Sequence, residues 1–208
     1  MLKTIWQSVR ATLVLALITG IIFPLAITAV AQLAFPNQAN GSLIKDQKGK
    51  VIGSALLGQQ FAKPAYFHPR PSAAGGGYAG EASSGTNLGP TSRKLFEGQA
   101  DDPATKNVDE SFAGVKQLAD DYRKENGLPE TFQVPIDAVT RSGSGLDPDI
   151  SLENARVQAA RVAAARQIPV QIVRDAIKHN TTARQLGFLG EARVNVLSLN
   201  LFLDRKSD

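Results

Sequence analysis

The sequence predicts an α+β domain with a small sheet, preceded by one N-terminal transmembrane helix. Two observations predict it: a long uncharged apolar run near the start, and helical periodicities that later alternate with short apolar segments. The length of 208 residues allows one domain with an appendage. The expected regions are a cytoplasmic N-terminus (1–10), a transmembrane helix (11–35), a juxtamembrane linker (36–50) and a periplasmic α+β domain (51–208).

The apolar run covers residues 11–35, which are 25 uncharged residues, 19 of them apolar. As an α-helix the run would extend about 37 Å, enough to cross a hydrocarbon core of about 30 Å. Pro36 follows the run, and proline cannot continue a helix through the preceding turn. Lys3 and Arg10 are the charged residues before it, which favours a cytoplasmic N-terminus.

A cleaved signal peptide is the competing interpretation of the same run. Ala29-Val30-Ala31 has the A-x-A form of a cleavage site, and the residues before the run are basic. The apolar stretch before that site is about 18 residues long, beyond the usual 7–15. This length favours an uncleaved anchor; cleavage after Ala31 would instead give a secreted or anchored periplasmic binding or envelope protein.

Small and weakly polar residues recur at every fourth position of the predicted transmembrane helix. In lipid, such residues let helices approach closely and hydrogen-bond to each other. We expect this row to be a face for a partner helix. Its members are Thr12, Ala16, Gly20, Pro24, Thr28 and Gln32.

Three helices are predicted in the polar domain. The first is capped by Asp109 and keeps a 3.6-residue apolar period to Tyr122, before Gly127 ends it. Ser151 caps a second, alanine-rich helix that runs to Arg166. The third starts after Pro169, a residue tolerated at a helix start.

Three strands and two long loops are expected between and around these helices. The strands are 51–58, 132–136 and 193–197, and Pro135 would confine the second to a sheet edge or a bulge. The loops are 64–92 and 140–148, both rich in Gly, Ser and Pro. Leu199, Leu201, Phe202 and Leu203 are expected to complete the core.

Composition excludes several classes of function. Residues 51–208 hold 18 basic and 18 acidic residues, so the formal charge of +4 belongs to residues 1–50 and no basic nucleic-acid-binding domain is indicated. The absence of cysteine excludes disulfides, thiolate metal sites and cysteine nucleophiles. His68 and His179 are the only histidines, so no zinc site is expected.

No catalytic constellation emerges from the motifs. Residues 75–80 fit G-x-G-x-x-G, but a dinucleotide fingerprint needs a strand before it and a helix after it. Nothing in the sequence orients Ser144, His68 and Asp147 into a triad. Arg156, Arg161 and Arg166 on the alanine-rich helix are interpreted as a solvated face with ion pairs, with an anionic-ligand site as the alternative.

Five segments together resemble the C subunit of the bacterial high-affinity potassium-transporting ATPase, the Kdp complex. The segments are 58–61 (GQQF), 66–72 (YFHPRPS), 83–90 (SSGTNLGP), 142–148 (SGSGLDP) and 190–197 (GEARVNVL). With the N-terminal anchor they appear in the family's order over nearly the whole chain. The side chains expected to contact partners are Gln59, Tyr66, Phe67, His68, Arg70, Ser84, Asn87, Ser142, Ser144, Asp147, Arg193 and Asn195.

The resemblance implies a single-pass inner-membrane subunit with a periplasmic domain and no catalysis of its own. Its partners would be a channel-like potassium-selective subunit, a P-type ATPase subunit and a small single-helix subunit. The sequence agrees that this chain does not pump, because it lacks the D-K-T-G loop of P-type pumps and one helix cannot build a pore.

The resemblance also implies a catalytic chaperone that raises the ATP affinity of the pump subunit. The Gly/Ser loops lack the lysine and the helix N-terminus that cradle phosphates, so no cofactor is assigned and ATP would be reached through the pump subunit. We expect the domain to hold the complex together and to cap the extracellular ion entrance, with the 64–92 loop docked on partner loops.

Overall fold

The computed structural model describes residues 1–46, 48–101 and 111–207. The chain divides into two compact units, Met1–Ser54 and Ala55–Asp208. The predicted fold class is confirmed, because one N-terminal apolar helix precedes a mixed region of helices and small sheets. The predicted helix cap Asp109 lies outside the described residues.

One continuous helix, Leu2–Ala34, is long and apolar enough to cross a membrane. It begins well before the predicted start at residue 11. The helix is locally wider just before Pro24, because proline has no N–H to donate to the carbonyl four residues earlier. In this wider turn the N–H of Phe23 donates to the carbonyl of Ile18, which is five residues earlier and not four. The parts are α1 (Leu2–Leu17), a π-helical segment (Ile18–Ile22) and α2 (Phe23–Ala34).

The predicted linker contains regular structure. Pro36 does not only end the long helix but also opens a short one, α3 (Pro36–Ala39), since its fixed φ suits a first helical position. An antiparallel hairpin follows, formed by β1 (Leu43–Lys45) and β2 (Val51–Ser54). The strand predicted over 51–58 therefore ends earlier, at Ser54.

The second unit, Ala55–Asp208, is built of six helices and a three-stranded sheet within its described residues. The sheet is antiparallel, with its strands in the order β3 (Asp149–Ser151), β5 (Arg193–Asn195) and β4 (Thr181–Thr182). Residues 64–92 and 140–148 form no helix or strand, as predicted. The elements are α4 (Arg93–Glu97), α5 (Val115–Glu125), α6 (Ile136–Val139), β3 (Asp149–Ser151), α7 (Leu152–Arg166), α8 (Val170–His179), β4 (Thr181–Thr182), β5 (Arg193–Asn195) and α9 (Val196–Ser207).

The main core lies where α7, α8, α9 and the sheet meet. Ala155, Ala159 and Ala163 form the buried stripe of α7, and their small size lets α7 and α8 pack closely. The Ser151 hydroxyl accepts the N–H of Asn154 and so caps α7, as predicted. The other buried members are Phe67, Ile150, Val162, Val173, Ala176, Ile177, Val194, Val196, Leu199 and Leu203.

The strand predicted over 132–136 is wrong. Residues 132–135 have no regular structure, and Ile136 opens the short helix α6. Pro135 lacks the N–H that a strand ladder needs, whereas its φ of −54° suits the position before a helix. The carboxylate of Asp137 in α6 then accepts the N–H and the hydroxyl of Ser151, at 2.7 and 2.8 Å.

The last predicted strand, 193–197, is shorter than expected. It ends at Asn195, whose side-chain oxygen accepts the N–H of Ser198 at 3.0 Å and so caps α9. Leu199 and Leu203 are buried as predicted, but on this helix. Strands β3 and β4 are too short to give an alternating pattern and were not predicted.

Candidate functional site

The segments that carry the family resemblance lie together in the second unit. We call residues 55–61, 66–74, 83–85 and 142–147 the loop cluster. Its parts are joined by hydrogen bonds, close glycine contacts and one ion pair, and it rests on α5, α7 and α9. Its contacts determine which side chains remain available for a ligand or a partner.

Two buried side-chain amides hold the main chain of the loop cluster. Asn200 on α9 accepts the N–H of Phe67 at 2.8 Å and donates to its carbonyl at 3.0 Å. Gln158 on α7 makes the same pair of bonds with His68, at 2.7 and 3.1 Å. Both amides are 1% exposed. The two bonds of Asn200 are buried and the two bonds of Gln158 are part-buried. Removing either amide would leave buried peptide groups unpaired, and each such group would lower the stability of the fold by about 1–3 kcal/mol.

The side chain of Phe67 completes this anchorage. It is fully buried and belongs to the main core. Burial of such a ring stabilises the fold by roughly 1.5–3 kcal/mol. Phe67 is therefore a core residue of the long loop, which leaves no surface of its ring for a partner.

His68 links the loop cluster to α5. Its Nδ1 lies 2.9 Å from Glu125 Oε1 and its Nε2 lies 3.2 Å from the carbonyl oxygen of Lys63. The hydrogen bond from His68 holds the pKa of Glu125 below its usual value, with Arg161 a weaker contributor and burial acting in the opposite direction. Glu125 is therefore a carboxylate at neutral pH and His68 is its donor.

Two arginines of α7 do not form the solvated face that the sequence indicated. The side chains of Arg161 and Arg166 are each 7% exposed. Arg161 donates to the carbonyl oxygens of Pro64 and Tyr66, at 2.6 and 3.0 Å. Arg166 donates to the carbonyl of Ala65 at 2.6 Å, pairs with Asp204 and lies over the ring of Tyr66. Long guanidinium donors reach the loop carbonyls that have no strand partner.

Arg70 and Asp147 connect the 66–72 and 142–148 segments. Arg70 Nη1 lies 2.8 Å from Asp147 Oδ2, and its Nη2 donates to the carbonyl of Thr140 at 3.2 Å. The other oxygen of Asp147 accepts the N–H of Asp149 at 3.0 Å, which fixes the turn into β3. The Tyr78 hydroxyl donates to the carbonyl of Arg70 at 2.6 Å, and burial raises the pKa of Tyr78 to about 12.

Serine hydroxyls join further segments of the loop cluster through hydrogen bonds to main-chain groups. Ser72 donates to the carbonyl of Gly145 at 2.6 Å and accepts the N–H groups of Ala74 and Tyr78. Ser83 donates to the carbonyl of Ser144 at 3.0 Å. Side-chain hydroxyls thus replace the backbone ladder that these irregular segments lack.

Two glycines of the cluster are required by close backbone approach. A Cβ on Gly58 would lie 2.5 Å from the carbonyl oxygen of Asp147, and the Gly58 N–H donates to Leu146 at 2.8 Å. Gly145 has φ of +70°, and a Cβ there would lie 2.6 Å from the carbonyl oxygen of Ser84. These contacts explain why both motif segments contain glycine at these points.

The 190–197 segment holds the sheet to the loop cluster. Arg193 pairs with Asp149 across β5 and β3 at 2.8 Å. Asn195 donates to the carbonyl of Ala55 at 3.0 Å while its oxygen caps α9. Both are structural contacts within the unit.

The remaining motif residues are partly or fully accessible. Ser84, Asn87 and Ser144 are exposed, and Gln59 and Tyr66 are half-buried. Ser142 is buried, at 7% exposure. Whether partners contact the accessible side chains stays a prediction.

The arrangement offers no catalytic chemistry among these residues. His68 pairs with Glu125, Asp147 pairs with Arg70, and the Ser144 hydroxyl accepts the N–H of Leu146. These three side chains therefore do not form a triad. Within the described part of the chain, no group of three or more His, Cys, Asp or Glu is placed to hold a metal ion.

The sequence reasoning missed Gln158 and Asn200. Both occur on the buried faces of helices, where an amide is unusual because its groups need partners. Asn154, four residues before Gln158, belongs to the same network: its oxygen accepts from Gln158 at 2.8 Å and from the hydroxyl of Tyr122 at 2.8 Å. Amides at apolar positions of α7 and α9 were the available signal.

Replacing Gly58 by alanine should separate the 55–58 segment from residues 146–147. The new methyl group would sit 2.5 Å from the Asp147 carbonyl oxygen, so we expect a loss of roughly 1–3 kcal/mol in the free energy of unfolding. Urea unfolding of the full chain in neutral detergent, followed by circular dichroism, measures the loss. Gly143→Ala is the matched control, because no atom lies within 4 Å of its Cβ position. Equal midpoints for the two variants would contradict the contact.

The Glu125 pairing predicts a pH-dependent stability. Because the folded-state pKa of Glu125 is lowered from its usual 4.5, its stabilising contribution is present above that pH and is lost as pH falls through the folded value. Glu125→Gln should therefore lower the urea midpoint at pH 7, and the difference from the native chain should shrink below about pH 4.5. Glu130→Gln, at an exposed position, is the control. It should change neither the urea midpoint at pH 7 nor the dependence of that midpoint on pH. A Glu125→Gln effect that is independent of pH would refute the pairing.

The whole chain is similar to one family of known proteins. The model of the family described as "K+-transporting ATPase, c chain" matches residues 5–205. A potassium-transporting ATPase KdpC subunit from Mycobacterium tuberculosis is 52% identical over 205 residues, which cover 99% of this chain and 100% of the relative.

Relatives from other bacteria agree over nearly the same length. The KdpC subunit of Myxococcus xanthus is 50% identical over 207 residues, covering 99% of this chain and 90% of the relative. That of Caulobacter vibrioides is 53% identical over 187 residues, covering 90% and 85%. The chain therefore belongs to the KdpC family, the c chains of the K+-transporting ATPase.

Proposed function

We propose that this chain is the accessory subunit of an ATP-driven potassium uptake complex, held in the inner membrane by its N-terminal helix. Its partners are the channel-like potassium-translocating subunit, the P-type ATPase subunit and the small single-helix subunit. The second unit lies on the periplasmic side, stabilises the complex and caps the extracellular ion entrance. The family relationship supports the complex, and the structural features below support the finer statements.

Anchoring is supported by the length and exposure of the first helix. Its 33 residues, Leu2–Ala34, are exposed almost throughout, so the helix needs lipid or another helix to cover its apolar surface. Lys3 and Arg10 are the charges at its start. Their position favours an N-terminus in the cytoplasm and a second unit in the periplasm.

A partner helix is supported by the row of small residues and by the π-helical segment. Each step of four residues in an α-helix overshoots one turn by about 40°, so such a row drifts around the helix. The π-helical segment Ile18–Ile22 has more residues per turn, and a four-residue step through it turns back. The segment therefore reduces the drift between Gly20 and Pro24 and keeps the row closer to one face.

Docking of the second unit is supported by two joined, uncharged segments. Residues 82–92 and 142–146 contain no charged side chain. Ser83, Ser84, Gly143 and Ser144 among them are exposed, and the Ser83 hydroxyl ties the two segments together. The centres of protein interfaces are depleted of charge, and a surface ordered before binding loses less entropy on docking. We call residues 82–92 and 142–146 together the docking surface. The pairing of these two uncharged segments is the single observation on which we base the docking and capping role.

A direct contact with ATP has less support. Two cations lie beside the 142–148 segment. Arg70 already binds Asp147 and Thr140, and Arg141 donates to the carbonyl of Ala113. Phosphate cradles use the N-terminus of a helix, whereas residues 142–148 lead into strand β3. We therefore base the function on assembly, and any effect on the ATP affinity of the pump subunit would be transmitted through that assembly.

Adding a large charged side chain to the docking surface should disrupt the complex. Gly89→Arg and Gly143→Arg are suitable, because neither glycine has an atom within 4 Å of its Cβ position and neither φ is in the left-handed region. The tagged full chain would be coexpressed with the other three subunits and purified in mild detergent. We expect both variants to recover several-fold less ATPase subunit than the native chain.

Thr131→Arg is the control, since it adds the same side chain at an exposed position of another turn and should leave recovery unchanged. Full recovery with both glycine variants would contradict docking through this surface.

The intact mass of the native preparation separately tests the anchor. A value near 22.1 kDa is expected, whereas loss of the residues up to Ala31 would support the cleaved signal.

A further inference from the structure

One cleft lies away from the loop cluster, between α7, α8 and β4. Its volume is about 730 Å³, which falls within the range of small-ligand sites. Leu152 and Ile177 supply apolar lining, and Arg156, Arg174 and Lys178 supply three positive charges. Asp175 is the one carboxylate among the lining residues.

Sequence spacing brings these cations to one place. Leu152 and Arg156 are four residues apart on α7, so they share a face of that helix. Arg174 and Lys178 share a face of α8 in the same way. Because α7 and α8 pack side by side, the two faces form opposite walls of the cleft.

The cations of the cleft differ from most arginines of the second unit. Seven arginines there form ion pairs: Arg70, Arg93, Arg123, Arg161, Arg166, Arg184 and Arg193. Arg156, Arg174 and Lys178 take part in none of the ion pairs of the described residues. Asp175 instead accepts a hydrogen bond from Gln171 at 3.0 Å. The cleft therefore carries three cations facing one carboxylate.

We propose that this cleft binds a phosphate ester. Three like charges around one cleft repel each other, and a bound phosphate anion would relieve that repulsion. Guanidinium groups match phosphate oxygens through two parallel hydrogen bonds, and the two arginines stand on opposite walls. The cleft is larger than inorganic phosphate needs, and Leu152 with Ile177 offers an apolar surface for the organic part of the ester.

The test uses the full chain in neutral detergent at low salt, titrated with glycerol 3-phosphate in a calorimeter. We expect saturable binding that Arg156→Gln and Arg174→Gln each weaken by about tenfold or more, since each removes a charge-assisted hydrogen bond. Arg205→Gln is the matched control and should stay within about twofold. Arg205 is likewise exposed and is outside the cleft.

A second arm distinguishes a free ester from a lipid headgroup. The same variants are compared in nanodiscs of phosphatidylglycerol and of phosphatidylcholine, and the thermal unfolding midpoint is measured. Stabilisation by phosphatidylglycerol that requires Arg156 and Arg174 but not Arg205 would assign the site to a lipid phosphate. Binding of glycerol 3-phosphate with the same dependence would assign it to a soluble ester.

Two results would overturn the proposal. One is that neither probe binds, with no saturation up to about 10 mM glycerol 3-phosphate and no difference between the two lipids. The other is binding that Arg156→Gln and Arg174→Gln leave as strong as Arg205→Gln does. Because the three arginines are exposed, we expect the variants to fold, and circular dichroism verifies it.

Discussion

The second unit depends on two buried amides that hold an irregular main chain. Asn200 and Gln158 each bind the N–H and the carbonyl of one loop residue, Phe67 and His68. A strand would normally satisfy these peptide groups, but no strand among the described residues pairs with the long loop. Because both amides are buried and the Phe67 ring lies in the core, a segment without regular structure is bound directly to the core helices.

Other contacts of the unit extend from this anchorage. Arg161 and Arg166 hold the carbonyls just before Phe67, and Arg70 just after it reaches the 142–148 segment. The loops are thereby fixed against each other before any partner arrives. A preformed, uncharged surface suits the proposed role of holding other subunits together, because docking then orders few further groups. Such a surface needs no catalytic group, in agreement with the role of an accessory chain.

The sequence predicted features that local chemistry determines. The apolar anchor, the cap at Ser151, the start of α8 after Pro169 and the two long loops follow from residue pattern alone. The failures came from long-range partners. Residues 132–136 alternate like a strand but pair with no strand in the described part of the chain. Arg161 and Arg166 have the sequence pattern of solvated residues, but the distant loop covers them. The prediction of a long loop over residues 64–92 did not include the amides that bind it from α7 and α9, which are 90 and 133 residues away along the chain.

Hydrogen exchange of the Phe67 and His68 amides tests this central interaction most directly. The full chain in neutral detergent is exchanged into deuterated buffer, and peptides that cover residues 64–72 are followed by mass spectrometry. We expect these two amides to exchange as slowly as the core helices α7 and α9, since both would open only when the unit unfolds. Exchange at the rate of an unprotected loop, with α7 and α9 still protected, would contradict it.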